Sequence, residues 1–337
     1  MEYLDGLLEK LTQGIGVGYT GNIRTRIKEE LEALDINAEI NPDGSVTALL
    51  KGSENKSLFL ACHLDEIGYI VSSIDEVGRI YFSPVGGSDI RLLPGQEVVI
   101  SGKVELNGYV GVRPPHLLTP DERNKVQPLD KLFVDIGLPA DYVKENVQIG
   151  DVITFSNRYY KLNNDLRSAK SLDDRAGVAC GILVLKELAK TAHRVNVYFV
   201  ATNQEEFTSL GARVHSYRLP VDYGLVVDVT FGEYPGLREG EFFALNKGPT
   251  IARGATIPEK LYNLLIESAQ ELEIPYQVEP ITGFTGTDAD AIAFNREGIP
   301  TCIIGIPVRY MHSPVEVVAL KDIERSARLI TGFIKKL

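Results

Sequence analysis

Two adjacent glutamates, Glu205 and Glu206, close the stretch 202–206, which follows an apolar, β-prone run at residues 195–201. Carboxylates at the end of a buried strand need partners, because a charge that leaves water alone is costly. Open α/β sheets bind their ligands in the crevice outside the carboxyl ends of the strands. We therefore interpret one glutamate as a metal ligand and the other as a proton carrier. The pair considered alone is also typical of two solvated acids at the edge of a loop.

Further acids and imidazoles occur where a predicted strand ends, where a helix begins, or in the loop after the last strand. They are His63 with Asp65, Asp173, Asp228 and His312. Each of them can reach the same edge of the sheet as the two glutamates. Two imidazoles and three carboxylates suit two divalent ions of the zinc, cobalt or manganese type. A shared carboxylate can bridge two ions about 3.5–4 Å apart, as in two-metal hydrolases.

The chemistry that such a site supports is hydrolysis of an amide bond. Each ion lowers the pKa of the water between them and polarises a substrate carbonyl. A carboxylate that is not a ligand must then take the proton from the water and deliver it to the leaving amine. That role suits whichever of Glu205 and Glu206 is not a ligand.

Each candidate also has an ordinary structural interpretation. His63 could be a satisfied core histidine, and Asp65 could be a turn residue. Asp173 could cap the helix that it opens, since acids favour that end of a helix. Asp228 could begin a turn and His312 could belong to a simple loop. These interpretations do not explain why so many buried strands end in acids and histidines at one edge, so the metal site is the favoured hypothesis.

The pattern of apolar residues changes near residue 70 and again near residue 163, and it separates two groups of elements that must position these residues. Before residue 70 and after residue 163, apolar strands alternate with amphipathic helices, which favours an α/β fold with a mostly parallel, helix-covered sheet. Between them the apolar runs are short and split by Gly and Asn turns, which indicates a small β-barrel or sandwich, and we predict the barrel. We predict a catalytic domain at 1–69 and 164–337, and an inserted β-rich domain at 70–163.

Composition and charge exclude several classes of protein. The 337 residues carry a formal charge of −11 without any prominent basic run, so a nucleic-acid partner is not expected. The N-terminus does not have the pattern of a signal peptide, and no apolar run approaches the roughly 18–20 residues of a membrane span. The three cysteines lie far apart in apolar contexts, as is typical of reduced thiols. We therefore expect a cytoplasmic protein with no membrane partner.

With these residues assembled, the chain resembles the tetrahedral (TET) aminopeptidase family of dinuclear metallopeptidases, which includes glutamyl aminopeptidase-like proteins. Six motifs carry the resemblance in order along nearly the whole chain. They are CHLDEIG (62–68), SLDDRAG (171–177), QEE (204–206), VDVT (227–230), GTDA (286–289) and RYMHSPVE (309–316). The run at 207–210 departs from the family pattern, so the wall of the site beside Glu206 and the substrate preference are expected to differ there.

The resemblance implies two divalent ions per subunit, most often zinc or cobalt, and five side chains that bind them. These side chains are His63, Asp173, Glu206, Asp228 and His312. Asp173 would bridge both ions. His63 and Asp228 would complete the shell of one ion, and Glu206 and His312 would complete that of the other.

The resemblance also implies two catalytic roles and a mode of assembly. Glu205 would be the general base, and Asp65 would hold the imidazole of His63 through its outer nitrogen. The inserted domain would mediate dimerisation, and dimers would assemble into hollow dodecamers. Basic residues such as Arg253 or Arg309 would favour acidic substrates if they face the site.

The sequence thus predicts a metal-dependent aminopeptidase that releases N-terminal residues from peptide substrates. A dinuclear deacylase or amidohydrolase has nearly the same ligands and stays an alternative. The alternative without enzymatic activity is a metal-binding assembly protein. The intact Glu205 argues against it. Paired carboxylates superficially allow a glycosidase, but glycosidases need two acids flanking a sugar bond rather than a His/Asp/Glu cluster.

Overall fold

The computed structural model describes residues 1–236 and 242–337 of the chain. Seventeen strands in this part are numbered in chain order. They are β1 (Ala38–Ile40), β2 (Val46–Leu50), β3 (Ser57–His63), β4 (Gly68–Ile74), β5 (Ile80–Val85), β6 (Glu97–Ser101), β7 (Glu105–Gly111), β8 (Phe133–Asp135), β9 (Val152–Phe155), β10 (Tyr159–Lys161), β11 (Leu166–Ala169), β12 (Asn196–Thr202), β13 (Tyr223–Phe231), β14 (Thr250–Gly254), β15 (Gln277–Ile281), β16 (Thr301–Arg309) and β17 (Glu316–Ala319).

Nine α-helices occur in the same described residues. They are α1 (Glu2–Thr12), α2 (Ile23–Glu32), α3 (Pro120–Arg123), α4 (Ala140–Asn146), α5 (Leu172–Leu188), α6 (Leu210–Arg218), α7 (Glu259–Glu271), α8 (Asp288–Ala293) and α9 (Leu320–Lys336). Among these helices, none combines the length and the apolar character needed to cross a membrane.

Eleven strands form the large sheet, with the main order β1-β2-β12-β3-β13-β16-β17-β11-β10 and the pair β14–β15 attached beside β16. The four central strands β12, β3, β13 and β16 are parallel. The flanking strands pair antiparallel, except that β14 and β15 are parallel to each other. Register brings their carboxyl ends level: Thr202 pairs with His63, and Val226 pairs with Ala61. Asp228, two residues beyond Val226, is therefore level with His63 at the same edge of the sheet.

Helices cover both faces of this sheet, which explains the continuous apolar runs of its central strands. In β3, Leu58 and Leu60 pack into the core shared with α1, α5 and α9. Their neighbours Phe59 and Ala61 point to the opposite core, which contains residues of α6 and α8. Every residue of β3 is consequently buried. The predicted α/β fold with a helix-covered sheet is confirmed, and its parallel part is the centre of the sheet.

Strands β4 to β9 close into a separate six-stranded antiparallel barrel in the order β4-β5-β8-β7-β6-β9. Its own core includes Tyr69, Val71, Phe82 and Ile153. The small β-barrel predicted from the Gly- and Asn-split runs is thus present between β3 and β10. The domain limits at 69/70 and 163/164 stay a prediction: the barrel strands run from Gly68 to Phe155, and β10 (Tyr159–Lys161) pairs with β11 in the large sheet.

A buried charged cluster joins the barrel to the large sheet. The carboxylate of Glu66 accepts hydrogen bonds from Lys170 Nζ at 2.6 Å, from Thr154 Oγ1 of β9 at 3.1 Å and from the Ser171 hydroxyl. Arg175 lies 3.7 Å away. Burial alone would raise the pKa of Glu66, but the charges of Lys170 and Arg175 outweigh it and lower that pKa. Removing one partner of such a buried pair typically costs about 3–5 kcal/mol, so the cluster fixes the barrel beside the start of α5.

Candidate active site

His63 lies at the end of β3 and is almost completely buried. Its Nε2 atom is 2.9 Å from Asp173 Oδ1 and 3.8 Å from Asp228 Oδ1. Burial opposes the charged imidazolium, but the carboxylates of Asp173 and Asp65 outweigh it and raise the pKa of His63 well above its usual value. The strand-end register therefore brings one predicted histidine against two predicted acids.

Asp173 lies between two imidazoles. Its Oδ1 atom faces His63, and its Oδ2 atom is 3.2 Å from His312 Nε2. Burial alone would raise the pKa of Asp173, but the hydrogen bonds to His312 and His63 outweigh it and lower that pKa below the usual range. The same His312 nitrogen is 3.4 Å from Glu206 Oε2. A carboxylate whose two oxygens face different groups has the geometry that bridging two ions requires.

Asp65 fixes the turn that presents the two glutamates. Its carboxylate accepts hydrogen bonds from the backbone amides of Glu205 at 3.0 Å and Glu206 at 3.3 Å. The preceding Gln204 has a left-handed backbone, with φ of 66°. The Nδ1 atom of His63 is 3.2 Å from the carbonyl oxygen of Asp65 and 3.7 Å from its carboxylate. The nearer contact of Asp65 with His63 is thus through its carbonyl oxygen, and its carboxylate holds the glutamate turn, which sequence reasoning did not anticipate.

Glu205 and Glu206 are acids in a crowded, buried and negatively charged site. Burial, together with the charges of Asp228 and Asp288, raises the pKa of Glu205 to about 9. Burial and the charge of Asp173 raise the pKa of Glu206 to about 10. Both shifts show that further positive charge would stabilise the ionised site.

The donor atoms of the site fit divalent metal ions. Ligand atoms of His63, Asp173 and Glu206 lie within 4.8 Å of one another, as do those of His63, Asp174 and Asp228. Imidazole nitrogens and carboxylate oxygens are suitable donors for zinc and related ions. Asp174, however, already accepts hydrogen bonds from the backbone amides of His63 and Gly177. Its position at the start of α5 therefore indicates a helix-capping role rather than a ligand role.

Glu316 at the start of β17 contacts two candidate ligands, although the sequence analysis gave it no role. Its Oε1 atom accepts a hydrogen bond from the backbone amide of His312 at 2.8 Å, and its Oε2 atom accepts one from that of Asp173 at 3.1 Å. The carboxylate is 2% exposed. The signal that was available is the last residue of the RYMHSPVE motif, an acid that opens a buried strand.

The barrel also contributes to the wall of the site. Gly86 and Gly87 follow β5 and lie against the candidate ligands. A Cβ atom added at Gly87 would lie 3.2 Å from His312 Nδ1, and one added at Gly86 would lie 3.6 Å from Glu206 Cβ. Gly86 has a φ of 76°, which favours glycine. The glycine pair therefore lets the barrel approach the site closely.

A cavity of about 370 Å³ opens beside the candidate ligands. Its described lining includes none of the residues 207–210, where the sequence predicted a different wall, and contains no lysine or arginine. Arg253 stacks on the ring of Tyr262, 5.2 Å from its centroid. Arg309 donates to the carbonyl oxygen of Glu233 and pairs with its carboxylate at 3.1 Å. The idea that these arginines favour acidic substrates therefore has no support from the described part of the cavity.

Comparisons with known proteins agree with this fold and show the family of the chain. The sequence profile of the M42 glutamyl aminopeptidases matches residues 44–329. A lysyl aminopeptidase of Pyrococcus furiosus is 34% identical over 338 residues, covering 98% of this chain and 96% of that protein. A TET aminopeptidase from a marine sediment archaeon of the Thaumarchaeota superposes with a TM-score of 0.93 at 31% identity, over 100% of this chain and 97% of that one. The TET1 peptidase of Pyrococcus horikoshii, described as able to assemble into a tetrahedron or a large octahedral shell, gives a TM-score of 0.86 at 28% identity, over 99% and 100% of the two chains.

Proposed function

The chain belongs to the M42 glutamyl aminopeptidase family, and from this premise we propose that it removes N-terminal residues from peptides with two bound divalent ions. The family resemblance predicted from the six motifs is confirmed, and the protein is an aminopeptidase. The observation that carries the two-ion proposal is Asp173, whose two carboxylate oxygens face His63 and His312 separately.

In this proposal Asp173 would be a ligand shared by both ions. His63 and Asp228 would hold one ion, and Glu206 and His312 would hold the other, as their mutual distances support. Zinc or cobalt is the expected metal, because imidazole and carboxylate donors suit both. The many buried acids of the site support the need for cations, since buried charges are stable only when they are paired.

The ions would supply Lewis-acid polarisation of the substrate carbonyl and a water of lowered pKa. The proposed part of Glu205 is to accept the proton of that water and to donate it to the leaving amine. Positive charge nearby favours the ionised form of Glu205, which is the form that accepts a proton. The Asp65 carboxylate, which holds the Glu205 amide at 3.0 Å, positions this base.

Replacement of Glu205 by glutamine tests the assignment of the base. The Glu205→Gln variant keeps the shape of the side chain, so we expect both ions to stay bound, as measured by elemental analysis of the purified protein. Turnover of aminoacyl-para-nitroanilides is expected to fall about 10²–10⁴-fold, because proton transfer loses its carrier.

The matched control is Glu206→Gln, which changes the neighbouring proposed ligand and is expected to lower the metal content. Unchanged turnover in Glu205→Gln would rule out its role as the base. Faster cleavage of N-acylated amino acids than of free-amine amides by the unmodified enzyme would favour the deacylase alternative. Two bound ions without hydrolysis of any substrate would favour a silent assembly protein.

We also propose that the chain self-associates, as a dimer or as a dodecamer built from dimers. The support is the similarity to the TET1 peptidase of Pyrococcus horikoshii, which assembles into large shells. The barrel exposes several apolar side chains, among them Val77, Tyr109 and Leu117, and exposed apolar surface is typical of interfaces. Dimerisation through the inserted domain and a cytoplasmic location stay predictions.

A further inference from the structure

The cavity beside the candidate ligands contains one carboxylate that contacts none of them. Glu279 of β15 lines the cavity, and its two oxygens accept hydrogen bonds from two threonine hydroxyls. Thr230 of β13 donates to Oε1 at 2.8 Å, and Thr250 of β14 donates to Oε2 at 2.6 Å. The two donors come from different strands and contact different oxygens. The carboxylate of Glu279 is therefore held in one orientation.

Strand geometry places the Glu279 carboxylate close to the candidate metal ligands. Thr230 follows Asp228 by two residues on β13, so both side chains point to the same face, about 7 Å apart along the strand. Gly305 of β16 pairs with both Asp228 and Thr250. A Cβ atom added at Gly305 would lie 2.2 Å from Thr250 Oγ1 and 3.0 Å from Glu279 Oε2. The absent side chain thus lets Thr250 and Glu279 pack closely against β16, beside the strand position of Asp228.

The rest of the cavity suits a long side chain that ends in a positive charge. Phe231, Ile281 and Ile303 supply apolar wall. Within residues 1–236 and 242–337, no lysine or arginine lines the cavity, and Glu279 forms no ion pair. An apolar channel with a fixed carboxylate is complementary to a hydrocarbon stem with a cation at its tip.

We propose that Glu279 determines specificity by binding the side-chain ammonium of an N-terminal lysine. The proposal rests on the aminopeptidase function proposed above and names its preferred substrate class. The lysine ammonium is a compact charge with three hydrogen-bond donors at the end of a flexible four-carbon chain. The arginine guanidinium is planar and rigid, and it pairs best with both oxygens of a carboxylate. Both oxygens of Glu279 already accept a hydroxyl, which leaves less of the carboxylate for bidentate pairing with a guanidinium. Lysine is therefore favoured over arginine.

The competing interpretation is that Glu279 only ties β15 to β13 and β14. Glutamine at this position keeps one acceptor oxygen and the side-chain shape, but it removes the charge. A purely structural role predicts that all substrates suffer equally from Glu279→Gln. A specificity role predicts a selective loss for lysine.

The experiment compares lysyl- and norleucyl-para-nitroanilide, because norleucine provides an apolar chain that lacks the ammonium group. Metal-loaded wild-type enzyme is expected to prefer lysine, as measured by the ratio of the two kcat/KM values. In Glu279→Gln this ratio is expected to fall about 10- to 100-fold, mainly through the KM for lysine, because a charge-assisted hydrogen bond is lost. The kcat/KM for norleucine is expected to change less than about twofold, because its apolar side chain makes no charge-assisted hydrogen bond with Glu279. Glu297→Gln, an exposed position, is the matched control.

Calorimetric binding of free lysine and free norleucine gives a second readout that does not depend on turnover. If Glu279→Gln fails to fold, Glu279→Asp retains the charge and is expected to keep part of the lysine preference. A wild-type enzyme that hydrolyses norleucine at least as well as lysine overturns the specificity proposal but leaves the aminopeptidase function intact. An equal loss for both substrates in Glu279→Gln also overturns it. Failure to hydrolyse any aminoacyl substrate overturns both proposals.

Discussion

Glu316 connects two candidate ligands through their backbones rather than through their side chains. It accepts hydrogen bonds from the amides of Asp173 and His312, and it is almost fully buried. In Glu316→Gln only one side-chain oxygen remains, so one of the two amides loses its acceptor. Residues that orient metal ligands typically contribute 10–100-fold to metal affinity or activity. We expect a loss of about that size in both quantities, measured by competition with a chelator and by kcat/KM.

The control for this prediction is Glu324→Gln on the neighbouring helix α9, which is half-buried and distant from the candidate ligands. It is expected to bind metal and turn over substrate like the unmodified enzyme. If Glu316→Gln bound metal equally well and kept full turnover, the positioning role of Glu316 would be wrong.

At the scale of residues, the sequence predicted those candidates whose signal is local. His63 and Asp228 each follow or belong to a buried apolar strand, and parallel strand ends meet at one edge. Glu279 gave no such signal, and Glu316 opens a buried strand instead of ending one. The distant partners of these two acids depend on how β15 attaches beside β14 and on how β17 pairs with β11, which joins residues far apart in the sequence. The roles of the predicted residues stay proposals.

Helix α1 is attached to the edge of the large sheet through one acid. Asp5 accepts hydrogen bonds from Arg167 Nε at 2.7 Å and Nη2 at 2.9 Å, and from Tyr159 Oη at 2.7 Å. Lys161 lies 3.1 Å from the same carboxylate. The hydrogen bonds from Arg167 above all lower the pKa of Asp5 below its usual range, despite partial burial. The contacts join α1 to β10 and β11.

Asp5→Asn is expected to lower the free energy of unfolding by about 1–3 kcal/mol at pH 7, because a charge-assisted pair is lost. The folded-state pKa lies below the unfolded value of about 3.9, so the ionised acid stabilises the fold above that pH. This contribution is lost as the pH falls through the folded-state pKa. Urea unfolding at pH 7 and at successively lower pH is expected to show a shrinking difference from wild type. Glu2→Gln on the same helix is the control, and an equal difference at every pH would contradict the prediction.

At the scale of elements, strong periodicity and continuous apolar runs were sufficient for most of the central fold. The continuous apolar run that precedes His63 forms β3 (Ser57–His63), and the helical pattern after Pro258 forms α7 (Glu259–Glu271). The short strands β10, β11 and β14 were not predicted. These strands are polar or at most five residues long, so their sequences carry a weak signal. Antiparallel pairing at the flank of the sheet stabilises them.

For the whole molecule, self-association predicts a particle much larger than one 37.1 kDa chain. Light scattering on the metal-loaded protein is expected to give two or twelve times this mass. Tyr109→Asp places a charge on the exposed face of the barrel and is expected to reduce the mass, because an interfacial charge is costly to desolvate. Tyr217→Asp on α6 of the other domain is the matched control. A monomer mass for the unmodified protein would contradict the proposal.

The sequence indicated the presence of the barrel but not its closure. Short strands separated by Gly and Asn turns predict a barrel or a sandwich equally well. The pairing of β4 with β9 closes the barrel and joins residues that are far apart in sequence, such as Tyr69 and Ile153. The charged cluster around Glu66 was also not predicted, because Lys170 and Thr154 reach it from different domains.

The pairing of Tyr69 with Ile153 has a consequence for how such a chain can evolve. Because the first and last strands of the barrel are neighbours, the segment leaves the large sheet and returns to it at nearly the same point. Such a cassette can be lengthened, replaced or shuffled by recombination without moving the catalytic strands. Gly86 and Gly87 limit this freedom, because they touch the surroundings of Glu206 and His312. A barrel that replaces this one is therefore compatible with catalysis only if it also has glycine, or an equally small residue, at these two positions.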